Sequence, residues 1–158
     1  MPDDKKLSIG DTHILDVCCK IEEACEDIYR NFSRLFEDNP KAHDLWVKTS
    51  LEEGNHAEQF RLASRLKGSG IKSLKTGLYE AQITLAKIKS IYENIIKSPP
   101  SLKEALRFAI KLESSLAGYH MDTIAKFEDE NIAHLFSAMM KNDQDHILIL
   151  EKAFNELC

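Results

Sequence analysis

The stretch Glu53-Gly54-Asn55-His56 decides the fold, because it recurs near the other end of the chain as Asp143-Gln144-Asp145-His146. A glutamate precedes each copy at nearly the same distance. Glu22 lies 31 residues before the first copy, and Glu113 lies 30 residues before the second. Side chains three residues apart share one face of an α-helix, so each copy sets a carboxylate beside an imidazole. The repeat predicts two matching helix pairs, each with a lone carboxylate on one helix and a carboxylate-x-x-His pair on the next.

Four carboxylates and two imidazoles would converge if the two helix pairs packed together. The candidate metal ligands are Glu22, Glu53, His56, Glu113, Asp143 and His146. Di-iron carboxylate four-helix bundles use this set, with one Glu from each of two helices and a Glu-x-x-His motif from each of the other two. The sequence therefore predicts a dinuclear metal site.

Apolar residues recur at intervals of three and four between clusters of turn-forming residues, which predicts an all-α fold. The turn-forming clusters lie at 38–40, 68–70 and 98–101. Helices are predicted at 11–36, 41–66, 78–96, 101–127 and 131–154. Ser101, with Glu104 three residues later, has the pattern of a capping box and marks the start of the fourth helix.

The connections between these helices predict how they pack. Short links join the first helix to the second and the fourth to the fifth, so each pair is expected to form an antiparallel hairpin. Roughly 35 residues separate the hairpins and contain the segment at 78–96, which reads as a helical crossover. We expect a ferritin-like four-helix bundle with this crossover between its second and third bundle helices, and we treat residues 1–158 as one domain.

The composition is ordinary for a globular protein and excludes several classes of function. The chain is 43% hydrophobic and 30% charged, and its net charge of -5 with both signs interspersed offers no basic surface for nucleic acid. It lacks a run of the roughly 18 apolar residues that mark a membrane-spanning helix, and the start MPDDKKLSIG lacks the apolar segment of a signal peptide. We expect a cytoplasmic protein with no nucleic-acid partner and no membrane partner. Its four cysteines form no C-x-x-C motif, so neither a disulfide framework nor a thiolate zinc site is expected.

A single carboxylate-x-x-His motif is a weak signal, because six histidines and 26 acidic residues produce such pairs by chance. The signal is stronger here because all six candidates fall on apolar helical stripes, where an unpaired buried charge costs several kcal/mol. Solvated positions at the stripe edges, or buried ion pairs, are the alternative. Two divalent cations would neutralise four carboxylates that otherwise raise one another's pKa, which favours metal. Six other acidic residues are interpreted as solvated and without a role: Glu23, Glu26, Asp27, Glu52, Glu58 and Asp145.

At these residues the chain resembles the rubrerythrin group of the ferritin-like superfamily. A tyrosine that hydrogen-bonds within the site commonly follows the first ligand of that family by seven residues, and Tyr29 follows Glu22 at this distance. The resemblance implies that Glu53 and Asp143 bridge two irons. A carboxylate and an imidazole would then complete each iron: Glu22 with His56, and Glu113 with His146.

The sequence departs from the family pattern in three respects. Rubrerythrins carry a further Glu three residues after the third ligand, where this chain has Leu116, so a redox-linked exchange of ligands is in doubt. They also carry a rubredoxin domain with paired C-x-x-C motifs, which this sequence lacks, so an external electron donor such as a rubredoxin would be needed. Asp143 replaces the usual Glu and is one methylene shorter, which would make its bridge looser or terminal.

The leading interpretation is a rubrerythrin-like peroxidase or oxidase, a non-haem di-iron oxidoreductase that reduces peroxide or dioxygen. Its cofactors would be two iron ions, with manganese or zinc as alternative occupants of a site made of oxygen and imidazole ligands. Tyr29 would act as a hydrogen-bond donor beside the metals, and a homodimer is expected. Two alternatives stay open. One is a ferroxidase subunit for iron storage with the same six ligands, and the other is a helical bundle with a degraded site that acts in binding, which Asp143 and Leu116 would favour.

Overall fold

The computed structural model describes residues 9–65, 78–123 and 130–158, which form helices and short connections without any strand. The five helices are α1 (Ile9–Leu35), α2 (Pro40–Arg65), α3 (Leu78–Lys97), α4 (Leu102–Thr123) and α5 (Glu130–Leu157). The all-α prediction is confirmed, and the helix ends inside these ranges lie within three residues of the predicted ones. The predicted ends at 66 and 127 and the predicted turn at 68–70 lie outside the described residues.

The turn between α1 and α2 is held by side chains that bond to the backbone. Asn39 caps α2, since its Oδ1 accepts a hydrogen bond of 3.1 Å from the backbone N–H of Ala42. Pro40 occupies the first helical position, where the missing N–H has no helical partner to lose. The ring Nδ1 of His43 donates to the carbonyl oxygen of Ser33 over 2.8 Å, which ties the start of α2 to the end of α1. These bonds fold α2 back along α1.

The predicted capping box starts α4. The backbone N–H of Ser101 donates to Glu104 Oε2 over 2.9 Å, and the backbone N–H of Glu104 donates to Ser101 Oγ over 3.2 Å. Two N–H groups at the helix start thereby gain acceptors. The direction of α4 is fixed immediately after the Pro99-Pro100 segment that ends the link from α3.

The helices pack as a bundle in which α1 lies against α2 and α3, α4 lies against α5, and α2 also contacts α5. The α1–α2 crossing is close at Gly54, where an added Cβ would lie 3.2 Å from the side-chain carboxyl carbon of Glu26. One turn earlier, Ser50 Oγ donates to the backbone carbonyl of Glu26 over 3.4 Å. Small residues on α2 therefore let the two helices approach, and this approach sets the distance between the polar side chains in the bundle interior.

An aromatic cluster fills one end of the core. Trp46 of α2 stacks on Tyr29 of α1, with 5.7 Å between ring centroids and 18° between the ring planes. Phe32 meets Trp46 edge-on at 5.0 Å and meets Phe108 of α4 at 6.1 Å. This cluster joins α1, α2 and α4 by apolar contact. In the parts of the chain that the structure describes, no helix combines the length and apolar character required to cross a membrane.

Candidate metal centre

The six side chains predicted as ligands are all buried, none more than 4% exposed. They come from four helices: Glu22 from α1, Glu53 and His56 from α2, Glu113 from α4, and Asp143 and His146 from α5. Burying so many ionisable groups is unfavourable unless each gains a partner or a cation. Their shared position therefore requires an explanation beyond hydrophobic packing.

The donor atoms form two groups that share one residue. Glu22, Glu53 and His56 form the first group, and Glu53, Glu113 and His146 form the second. Within each group the donor atoms lie within 4.8 Å of one another. Carboxylate oxygens and imidazole nitrogens are donors for iron, manganese and zinc, so each group could hold a metal ion.

Three carboxylates surround the Nδ1 atom of His56. Glu22 Oε2 lies 3.7 Å away, Glu53 Oε2 lies 3.9 Å away and Asp143 Oδ1 lies 3.6 Å away. Neither ring nitrogen of His56 has a hydrogen-bond partner among the described residues. Two donors bound to one ion at about 2.1 Å, with 90–120° between the bonds, lie about 3.0–3.6 Å apart. The separations around His56 are close to that spacing and too long for hydrogen bonds.

His146 is held differently. Its Nδ1 lies 3.6 Å from Glu53 Oε1, while its Nε2 contacts the carboxylate of Glu52. The rings of His146 and His56 face each other, with 5.7 Å between centroids and 22° between planes. One nitrogen of His146 therefore faces the buried donor group, and the other is in close ion-pair contact with a carboxylate at its edge.

The interpretation that Glu52 lies on a solvated helix face away from the site was wrong. Its side chain is half-buried, and its partner His146 belongs to α5. The apolar stripe of α2 could not show this contact, because it depends on how α5 packs. A signal was present, since Glu52 lies four residues before His56 and therefore on the same helical face.

Four of the other acidic residues interpreted as solvated form ion pairs with arginines, and Asp145 is exposed on α5. Arg61 contacts the carboxylates of Glu23 and Glu58, and Arg30 contacts those of Glu26 and Asp27. These contacts involve partly or largely exposed side chains, so they contribute little to stability.

Tyr29 reaches the site from α1. Its Oη donates a hydrogen bond of 2.6 Å to Glu113 Oε1, and the residue is fully buried. Burial, together with the nearby charge of Glu113, raises the pKa of Tyr29 well above its usual range. Tyr29 therefore keeps its proton and remains a donor. Its opposite contact is the stacked ring of Trp46, so it joins the aromatic cluster to the polar groups.

The electrostatics of the site favour cations. Burial raises the pKa of Glu53 well above its usual range, and the charges of Glu113 and Glu22 raise it further. Burial also raises the pKa of Glu113, although the hydrogen bond from Tyr29 opposes this. Such shifts mean that the carboxylates resist simultaneous ionisation. A divalent cation between them would remove that resistance.

The Glu52–His146 pair has opposite shifts. Burial opposes charge on both groups, but their mutual hydrogen bond and attraction outweigh it. The pKa of Glu52 is therefore lowered and that of His146 is raised. Glu52 thus lies beside His146 as an anion, which is the form that accepts the Nε2 proton.

Two sequence departures have visible structural counterparts. Leu116 is buried one turn beyond Glu113, so an apolar side chain occupies the position where the resemblance places a further ligand. Asp143 reaches His56 but, within the described residues, belongs to neither group of mutually close donors. Its side chain is one methylene shorter than Glu, and Glu53 is the carboxylate that the two groups share.

Comparisons with protein-family models, with curated proteins and with solved structures found no match to this chain. The resemblance to rubrerythrins therefore stays a prediction. What the protein does has to be argued from the residues and distances given above.

Proposed function

We propose that this chain is a ferritin-like, rubrerythrin-type di-iron oxidoreductase that reduces peroxide or dioxygen with electrons from an external donor such as a rubredoxin. One observation carries the proposal: two buried carboxylate and imidazole groups share Glu53. A shared carboxylate with a histidine on either side is what a dinuclear site needs and what a set of independent buried ion pairs would not require.

The residues fit a pair of metal ions. Glu22 and His56 would hold one ion, Glu113 and His146 would hold the other, and Glu53 would contact both, with Asp143 beside His56. The histidine nitrogens that face these carboxylates have no hydrogen-bond partner in the described part of the chain, so they are available as donors. The metals would supply the redox chemistry and a Lewis-acid centre for the oxygen substrate.

The chain itself would orient the ligands and keep water out. Tyr29 fixes Glu113 through its 2.6 Å hydrogen bond and holds a proton at Oη beside the reacting region. The stack of Tyr29 on Trp46 restrains the tyrosine ring on its other side. Because the six ligands are at most 4% exposed, bulk water is excluded, which strengthens electrostatic interactions inside the site.

The packing of the helices supports the ferritin-like part of the proposal. The contacts of α1 with α2 and of α4 with α5 support the two expected hairpins, and α3, which lies between them in sequence, packs against α1. Each hairpin contributes one lone carboxylate and one carboxylate-x-x-His pair, as in bundles of this type. A homodimer in the cytoplasm belongs to the same proposal.

Elemental analysis of anaerobically purified protein tests the proposal. About two irons per chain are expected, and His56→Ala and His146→Ala should each lower the metal content because each removes one nitrogen donor. His134→Ala is the matched control, since His134 is exposed on α5 and lies outside both donor groups. Unchanged metal content in both site variants would refute the ligand assignment.

The reaction is tested by adding hydrogen peroxide to the chemically reduced protein and following oxidation of the iron. Rapid oxidation in a small oligomer is expected. Size-exclusion chromatography separates this result from the storage alternative, which requires a large cage. A stable fold that takes up no metal would instead favour the bundle with a degraded site.

A further inference from the structure

We infer that the two metal positions are unequal, and that Glu52 makes the position beside His146 the tighter of the two. The inference rests on the proposed function, since it takes the two donor groups as metal positions. It adds Glu52 as a positioning residue.

The contact between Glu52 and His146 is the first observation. The carboxylate of Glu52 contacts Nε2 of His146, while Nδ1 of the same ring lies 3.6 Å from Glu53 Oε1. An imidazole that binds metal through one nitrogen commonly donates its other N–H to a carboxylate. That second bond fixes the tautomer, sets the ring orientation and makes the ligand more basic. Glu52 is placed to do all three.

His56 lacks this support. Its Nδ1 faces three carboxylates, but its Nε2 has no hydrogen-bond partner among the residues that the structure describes. The ring is placed by the facing ring of His146 and by the carboxylates around Nδ1, with no carboxylate contact recorded at Nε2 among the described residues. Its orientation as a metal ligand is therefore less well fixed than that of His146.

The sequence repeat explains the asymmetry. Glu52 immediately precedes Glu53, and the equivalent residue before Asp143 is Asn142. By the symmetry of the repeat, position 142 would face His56 as Glu52 faces His146. Asn142 is exposed, and its neutral amide is a poorer acceptor than a carboxylate. The supporting carboxylate therefore exists in one half of the repeat only.

Loss of such an outer partner lowers metal affinity by about 10- to 100-fold. A difference of this size between the two positions would make them fill in order. The position at Glu53, Glu113 and His146 would fill first, and the position at Glu22 and His56 would fill second. A half-loaded protein would then be a defined species with its metal beside His146.

Anaerobic titration of the full-length apoprotein with Co²⁺, followed by calorimetry, tests the inference. The wild-type chain should bind in two resolved steps. Glu52→Ala should weaken the tight step by about 10- to 100-fold and leave the weak step unchanged. Glu52→Gln should weaken it less, because the amide oxygen still accepts a hydrogen bond. Glu93→Ala on α3 removes the same charge from an exposed position outside the site and should change neither step.

Two further sets of variants assign the steps. His146→Ala should remove the tight step, and His56→Ala should remove the weak one. Asn142→Glu provides the missing carboxylate and should tighten the weak step alone, which tests the inference by a gain of affinity and does not depend on a damaging substitution. Binding of two ions with equal affinity, or weakening of both steps by Glu52→Ala, would overturn the inference and leave the dinuclear site standing. A wild-type chain that binds no Co²⁺ would overturn the proposed function as well.

Discussion

Two neighbouring regions of the core differ in the contacts that their buried side chains make. At one end, the rings of Tyr29, Phe32, Trp46 and Phe108 pack together and bring α1, α2 and α4 into contact. Beside this cluster, near the middle of the helices, α1, α2, α4 and α5 bring together four carboxylates and two imidazoles, and the separations around His56 exceed hydrogen-bond distance. The aromatic region is held by ring contacts within the protein, although Trp46 Nε1 has no hydrogen-bond partner among the described residues. The polar region contains two groups of carboxylate and imidazole donors that could each hold a metal ion.

This difference explains why the polar residues can be tolerated. An aromatic core gains free energy by dispersion and by removal of apolar surface from water, whether or not metal is bound. It can therefore hold the helices in register while the carboxylates repel one another. The fold and the candidate site then respond to different perturbations, and this separation can be tested.

The largest effect is expected from Trp46→Ala. The side chain is fully buried among aromatic rings, so its removal should lower the free energy of unfolding by about 3–5 kcal/mol. Urea denaturation of the apoprotein and of the metal-loaded protein measures this, and the loss should be similar in both. Leu51→Ala on the same helix is the control, because Leu51 is 62% exposed and its removal should change stability by no more than about 0.5 kcal/mol. If Trp46→Ala lowered the free energy of unfolding only in the metal-loaded protein, the aromatic region would not stabilise the fold independently of the metal.

Removal of metal is the next largest effect. Binding to the native state alone stabilises by about 2.7 kcal/mol when free metal is a hundredfold above its dissociation constant. Chelation should therefore lower the melting temperature of the wild-type chain. Metal should raise the melting temperature of Trp46→Ala by the same amount as that of the wild-type chain, since the substitution leaves the donor groups intact. Identical melting curves with and without metal would indicate that the polar region needs no cation.

Substitutions of Asp143 should change metal binding more than they change the stability of the fold. Asp143→Leu should weaken metal binding because it deletes a carboxylate beside His56, whereas the apoprotein should lose little stability, since a buried charge is replaced by an apolar group. Asp143→Glu, which restores the length usual in rubrerythrins, should preserve or tighten binding. Elemental analysis and urea denaturation on the same samples measure both quantities. Full metal occupancy and turnover in Asp143→Leu would remove Asp143 from the site.

The fold was largely predictable because its signals are local. The three- and four-residue periodicity located all five helices, and Ser101 with Glu104 located the start of α4. The repeated carboxylate-x-x-His motif identified six side chains that the structure buries together. In each case the signal lies within one helix or in a repeated spacing, so the sequence carries it directly.

The contact of Glu52 was not predictable in the same way. It depends on the rotation of α5 against α2, which no residue of α2 encodes by itself. Glu53 belongs to both donor groups and Asp143 to neither. This too depends on where the longer Glu and the shorter Asp side chains place their carboxylates once the helices have packed. Residue type and spacing predict which side chains enter the core. Distances of a few tenths of an ångström between helices decide which of them meet.

The smallest effect is expected at Tyr29, the residue that belongs to both regions. Tyr29→Phe keeps the ring that stacks on Trp46 and removes only the hydroxyl that donates to Glu113. The free energy of unfolding should therefore fall by about 1–2 kcal/mol, in the lower part of the roughly 1–3 kcal/mol cost of leaving a buried acceptor without its donor. Urea denaturation measures the change, and Tyr79→Phe, at a tyrosine that is 75% exposed, is the matched control. In loaded protein the loss should be smaller than in apoprotein, because a cation at Glu113 takes over part of the charge that the hydroxyl otherwise stabilises. If the free energy of unfolding fell equally in both forms, Glu113 would not contact the metal. Glu113 would then have to be removed from the second donor group.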